Sequence, residues 1–440
     1  MSLGSTGVKA ALAVGYVGAG TVEFIFDPKE RKYYFMEMNT RLQVEHPVTE
    51  MVSMIKKEGG QGLSNVDLVE WQLRIAAGES LPVKQEDIIL NGHSFEARIY
   101  AEDTGNNFMP GSGKLELFNH PGLNHESSNQ LMSYSDRWPN VRIETGVRTG
   151  DEVSVHYDPM IAKVVVWDRD RNLALNKLNR VLAKTQIVGL ETNVDFVLKL
   201  ANHDQFKKGI VHTNFIQEHK DELLNEVVPT DDQIIISAFG SFLEMIKSNE
   251  YDASYRLPGI SPPKETFNLS SNDGRQNYTI QFSPSTNEQQ SGNTKLYSVS
   301  LNEKNFGTIS GSFDHGKTQL SVSLNGISQK FDFVPNGSDL LLFTGSGSIR
   351  TKFIEPSFLT SSGGSDQQTG SNVVKSVMPG IIEKVLIKEG DQVKVGDPLV
   401  IMIAMKMEYT LKAGCNGTVA EVLFKEGMNV SKGAVIVKLN

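Results

Sequence analysis

The sequence predicts a multidomain chain, α/β in its first half, all-β in its second, and closing on a small two-fold β-sandwich. Three observations carry this. Helix-period and strand-period segments alternate between Asp67 and Asn202. Short strands with turns such as Asn325–Gly326 and Asn336–Gly337 between them occupy residues 276–354, the pattern of an antiparallel barrel or sandwich. Gly380–Gly390 is repeated at Gly417–Gly427, an offset of 37 residues that persists through Val393/Val430 and Gly396/Gly433.

The chain has 440 residues, room for about two to four domains. Its net charge of −9 argues against nucleic acid and anionic membrane as partners. No apolar run is long enough to cross a bilayer. Cys415 is the only cysteine, so no intrachain disulfide forms, as expected in a reducing compartment. The first residues carry neither a signal-peptide pattern nor an Arg-rich transit pattern, and Met1–Ser2–Leu3 reads as a cloning remnant. The histidines supply no zinc-type ligand pairs, and there is no serine-hydrolase elbow.

The first chemistry-bearing stretch follows a glycine-rich turn, Gly15–Gly20. Thr21–Phe26 and Lys32–Met38 read as a hairpin across Asp27–Arg31, which sets Glu23 beside Glu37. Glu37, Asn39, Arg41, Gln43 and Glu45 then recur at every second position, so an extended backbone puts all five on one face. Two carboxylates and an amide oxygen make a hard-oxygen site for Mg²⁺ or Mn²⁺, an arginine can grip a planar oxyanion, and a further carboxylate can act as a base. The bland alternative is a solvated strand face of mixed charge.

The second stretch is Val400–Tyr409. An apolar strand leads into Ala404–Met405–Lys406–Met407, a second strand returns, and the 37-residue repeat flanks both. This places Lys406 at the tip of a hairpin. An ordinary surface lysine would show the tetrad without the centred repeat.

Both stretches resemble the biotin-dependent carboxylases. Met36–Met51 is similar to the active-site signature of biotin carboxylases, members of the ATP-grasp superfamily, and Ala-Met-Lys-Met to their biotin attachment site. Lipoyl carriers have a similar fold, but the two methionines favour biotin. The resemblance implies covalent biotin on Lys406, ATP and Mg²⁺ or Mn²⁺ as cofactors, and a metal held by Glu23, Glu37 and Asn39. It implies bicarbonate held by Arg41, Gln43 and Val44, Glu45 as the base that deprotonates it, and Arg98, within Glu96–Asp103, stabilising the biotin enolate. The domains so implied are residues 1–222, the C-terminal lobe of an ATP-grasp biotin carboxylase, and 223–360, a helix-plus-antiparallel-barrel domain contacting another subunit. Residues 361–371 would be a flexible linker, low in complexity, and 372–440 a biotinyl β-sandwich.

Two departures from the family accompany the match. The family's large preceding region, with the ATP lid and its lysines, has no counterpart here, so the expectation is that this chain alone is inactive toward ATP. Val52–Asn65 adds about a dozen polar, Gly-rich residues, read as a tolerated surface loop. Asp67–Glu79, Gly150–Trp167 and Met402–Glu408 resemble the family members that act on 3-methylcrotonyl-CoA in leucine breakdown, with propionyl-CoA as the alternative substrate. The implied partners are a carboxyltransferase β subunit in a hetero-oligomer and a biotin protein ligase, and the implied location is the mitochondrial matrix. A carrier and assembly fragment without catalysis is the reading of a different class.

Overall fold

The computed structural model describes residues 3–440 apart from 28, 57–61, 122–139, 155–156, 226, 249–264, 286–294, 315, 317, 355–371, 377–378, 405–406 and 432. Lys406 and the 361–371 linker therefore lie outside the described residues. The chain forms two compact units. One comprises Met1–Arg98, Gly122–Glu144 and Lys163–Asn179, and the other Ile99–Pro121, Thr145–Ala162 and Arg180–Asn440.

The first unit opens with a helix, Leu3–Ala13. Thr21–Asp27 and Lys32–Asn39 pair antiparallel, Glu23 opposite Glu37 and Thr21 opposite Asn39, with a slip in register between Glu23 and Phe24. The extended backbone stops at Asn39. Arg41 lies in a bend, Val44 and Glu45 in a turn, and the chain enters the helix His46–Val52. The single extended face expected from Glu37 to Glu45 is thus corrected. Pro47 is the physical reason: its fixed φ and missing N–H suit the first turn of a helix and not a strand.

A second helix, Leu68–Ala76, is capped by Asp67, whose carboxylate accepts from the Glu70 amide at 2.8 Å. Gly78, at φ +89°, lies just beyond its end. The segment expected to be a surface loop is also corrected. Ser53–Lys56 and Leu63–Asn65 are strands, and Ser53–Lys56 pairs on its other edge with Ile88–Leu90. The apolar Met54–Ile55 pair suits a strand, and only the intervening Gly-rich residues break the pattern. The strand Met160–Asp168 runs between Val141–Thr145 and His93–Tyr100.

In the second unit, eight antiparallel strands from Glu265–Ser271 to Gly347–Phe353 form a closed barrel, which settles the barrel-or-sandwich alternative. Glu265–Ser271, which the sequence reading missed, closes it by pairing with Gly347–Phe353. The helix Asp231–Ser248 packs Ile235, Ala238, Phe239 and Phe242 into the same core as Phe267, Phe282, Tyr297 and Phe333. Gly240 lets that helix approach closely, because a Cβ there would lie 2.7 Å from the Phe333 ring. The end of the chain forms two four-stranded sheets. Gly380–Val385 pairs with Asn429–Val430, and Gln392–Val393 with Gly417–Val422, so each repeat supplies a strand to the other.

Two outcomes follow from this packing. Alanine at Gly240 gains about 1 kcal/mol in helix propensity, but overpacking against a fully buried ring costs about 1–3 kcal/mol. Gly240→Ala should therefore lower stability, read as faster hydrogen exchange of the barrel amides; unchanged exchange would mean that the helix shifts freely. Burial pushes the His120 imidazole down from 6.5 to about 4. The unfolded chain then takes a proton that the folded chain refuses, so stability is full above pH 6.5 and falls as pH drops toward 4, by about 3 kcal/mol. His120→Phe, beside the Phe118 ring, should flatten that part of the stability–pH curve measured by denaturant unfolding.

Candidate active site

The hairpin and the turn after it build the site. The Asn39 amide nitrogen donates to Glu23 Oε1 at 2.7 Å and to Glu37 Oε1 at 3.1 Å. Gln43 Nε2 donates to the same Glu23 oxygen at 3.3 Å, and Arg41 donates to Gln43 Oε1 at 2.7 Å. Two carboxylates on neighbouring strands repel, and the amide N–H₂ group between them offsets this with positive dipole. A divalent cation would serve the same need more strongly, with the amide turned to present its oxygen. The donor set of Glu23, Glu37 and Asn39 fits such an ion.

Arg98 comes from the strand His93–Tyr100 and reaches Glu45 at 2.7 Å across 53 residues of sequence. Its Nε also donates to Glu96 Oε1 at 3.2 Å. Burial raises the Glu96 carboxyl above its ordinary range, against the pull of Arg98 and Lys163, and its second oxygen is buried with no hydrogen-bond partner. Of the residues singled out in sequence, Glu23, Glu37, Asn39, Arg41 and Gln43 thus form one hydrogen-bonded chain, and Glu45 and Arg98 form an ion pair. Ala404 lies opposite Met407 in the strand pair Pro398–Ala404 and Met407–Lys412, which Lys406 joins in sequence.

Sequence reasoning missed the charges beneath the turn. Glu50 accepts from Arg142 at 2.6 Å, Arg142 also meets Glu144, and Glu144 meets Lys163. Lys163 donates to the Val44 carbonyl at 3.0 Å. Burial pushes the Glu144 carboxyl up, but Lys163 and Arg142 together outweigh it and hold it below the ordinary range. The available signal was a lysine inside the otherwise apolar run Met160–Trp167.

Among the described residues, His203, His219 and Glu222 form a group that could ligate a metal. His203 Nδ1 accepts from the Gln205 amide at 3.3 Å. That places the proton of the neutral ring on Nε2, which faces Glu222 at 3.2 Å. The pair is a hydrogen bond from ring to carboxylate, and in this arrangement neither ring nitrogen of His203 offers a free lone pair.

Three family models match in order along the chain. They are the ATP-binding domain of the carbamoyl-phosphate synthase L chain over residues 1–84, the biotin carboxylase C-terminal domain over 96–218, and the biotin-requiring enzyme domain over 371–439. The mitochondrial methylcrotonoyl-CoA carboxylase subunit alpha of Rattus norvegicus is 43% identical over 99% of this chain and 58% of its own length. Its counterpart in Arabidopsis thaliana is 35% identical over 100% of this chain and 60% of its own length. The propionyl-CoA carboxylase alpha chain of Homo sapiens is 30% identical, with coverages of 100% and 57%. The chain therefore spans about three fifths of the length of these relatives. The biotin carboxylase domain of thermophilic 2-oxoglutarate carboxylase is 38% identical over 51% of this chain and 44% of that one, with a TM-score of 0.43. With a biotin carboxylase C-terminal domain and a biotin-requiring enzyme domain in order along it, and relatives that align with nearly all of its residues, the chain is similar to the biotin-dependent carboxylases and, among them, to the alpha subunits of methylcrotonoyl-CoA carboxylase.

Proposed function

We propose that this chain works in the biotin-containing subunit of an acyl-CoA carboxylase, in which bicarbonate and ATP carboxylate a biotin carried on Lys406. The observation that carries this is the contact between Glu45 and Arg98. Two residues from separate motifs, expected to act on bicarbonate and on biotin, meet at 2.7 Å. Glu23, Glu37 and Asn39 would hold Mg²⁺ or Mn²⁺, which supplies positive charge for the phosphates of ATP. Arg41, with Gln43 and the Val44 backbone, binds bicarbonate. Its guanidinium is already oriented by the Gln43 amide oxygen. Glu45 takes the bicarbonate proton, so that the resulting dianion can attack the γ-phosphate. Arg98 offers its donors to the enolate oxygen of biotin, and Glu96 at its Nε keeps the guanidinium plane fixed.

The carboxyl group would pass to 3-methylcrotonyl-CoA on a carboxyltransferase subunit, in leucine breakdown in the mitochondrial matrix. Identity of 43% to the methylcrotonoyl-CoA enzyme against 30% to the propionyl-CoA enzyme supports this acyl group over propionyl. Residues 223–360, the barrel and its helix, are proposed as the part that meets the partner subunit, 361–371 as the tether, and 372–440 as the carrier.

Avidin blotting after incubation with biotin protein ligase should give a signal that Lys406→Arg abolishes; a surviving signal would place the biotin elsewhere. In the complete enzyme assembled with its carboxyltransferase subunit, Glu45→Gln should lower bicarbonate-dependent ATP hydrolysis by about 10²–10⁴ and leave MgATP affinity nearly intact. Glu37→Gln should instead weaken metal and nucleotide binding, since a charged oxygen ligand is lost. Wild-type rates with Glu45→Gln would remove the base assignment.

A further inference from the structure

We propose that Lys163 is a positioning residue for bicarbonate, holding the turn that presents Gln43, Val44 and Glu45. The proposal rests on the reading of those three residues given above. The starting point is where the backbone hydrogen bonds of this turn go. The Gln43 carbonyl accepts from the His46 amide at 3.2 Å, and the Glu45 carbonyl from the Val48 amide at 3.0 Å. Between them, the Val44 carbonyl accepts from the ammonium of Lys163, 119 residues away in sequence. That bond ties the turn to the strand Met160–Asp168, whose residues from Ile161 to Val166 are all buried.

Lys163 is 8% exposed, and a buried ammonium persists only when it is paired and hydrogen-bonded. Glu144 provides the opposite charge, and Arg142 bridges Glu144 to Glu50. Glu50 in turn accepts from the amide of Leu68, at the start of the next helix, at 2.7 Å. The four charges alternate and sum to zero, Glu96 lies within reach of Lys163 as well, and the Lys163 ammonium still has a donor for the turn. A cation serving only as a counter-ion to Glu144 would not have to point at a backbone carbonyl between two residues of the anion site. Fixing Val44 fixes the amides and side chains on either side, Gln43 and Glu45. A small displacement of such a turn is enough to disturb an oxyanion site.

Lys163→Met keeps the length of the stem and leaves Glu144 its pairing with Arg142, which it then shares with Glu50. In the assembled holoenzyme, this variant should raise KM for bicarbonate about tenfold or more and lower kcat, while KM for MgATP stays within about twofold. Lys163→Arg, which keeps a buried donor and the charge, should recover most of the loss. If Lys163→Met does not accumulate as folded protein, Lys163→Gln keeps a donor at shorter reach and is read the same way. An unchanged bicarbonate KM in the folded variant overturns the proposal, as does a loss shared equally between bicarbonate and MgATP. Glu45→Gln in the same preparation separates the two readings. If it remains active, the base assignment falls, whereas the bicarbonate KM of the Lys163 variants still reports on the turn.

Discussion

Charge taken out of water has to be neutralised by charge, and beneath residues 43–45 that requirement is met by a chain of four groups. Glu50, Arg142, Glu144 and Lys163 each have an oppositely charged neighbour, and three of them come from other parts of the sequence than the turn they support. Their Coulombic attraction is large because water is scarce, and their desolvation cost is large for the same reason. Such a set contributes little net stability compared with an apolar core of equal volume. Its use is geometric: the turn is fixed only where all three pairs form together. The exposed groups above it, Arg41, Glu45 and Arg98, are then held over a rigid base. Their own pairing would be weak alone, since salt bridges this open to solvent contribute at most about 1 kcal/mol.

The hairpin was legible because strand periodicity is local. The alternation in residues 21–39 fixes which side chains share a face, and the turn length fixes the register that sets Glu23 opposite Glu37. The same rule failed two residues later. Alternation of Arg41, Gln43 and Glu45 looks like a strand, but Pro47 commits the chain to a helix, and the backbone leaves the extended form before Arg41. The residues still converge, through Gln43 reaching back to Glu23. The residue types were therefore a better guide than the backbone assumed to carry them.

What the sequence concealed was mostly tertiary. Lys163 lies in an apolar run, where its partners 19 and 119 residues away cannot be inferred from spacing. The first barrel strand, Glu265–Ser271, is mostly polar, and its identity depends on the strand that it closes against. The segment after Met51 looked like a loop because glycines interrupt it, yet its two ends pair with each other and one pairs onward to Ile88–Leu90. In each case, pairing at a distance overrode a local signal.

The repeat at the end of the chain is a different case, because its glycines have meaning only in pairs. Gly380 and Gly417 occupy equivalent places in the two halves, and neither has the positive φ that usually explains a glycine in a turn. A Cβ on Gly380 would meet the Ile403 carbonyl at 2.7 Å, and one on Gly417 would meet the Asn440 carbonyl at 2.6 Å. Residues 403 and 440 are themselves one repeat apart, so the same close backbone approach is made twice. Each approach sets the end of a central strand against its neighbour. In the first half that neighbour is Pro398–Ala404, which leads directly to the lysine. The exchange of strands between halves means that neither can form this contact without the other. The strands Pro398–Ala404 and Met407–Lys412, which flank Lys406 in sequence, are therefore anchored by a closed two-fold core and not by their own pairing alone.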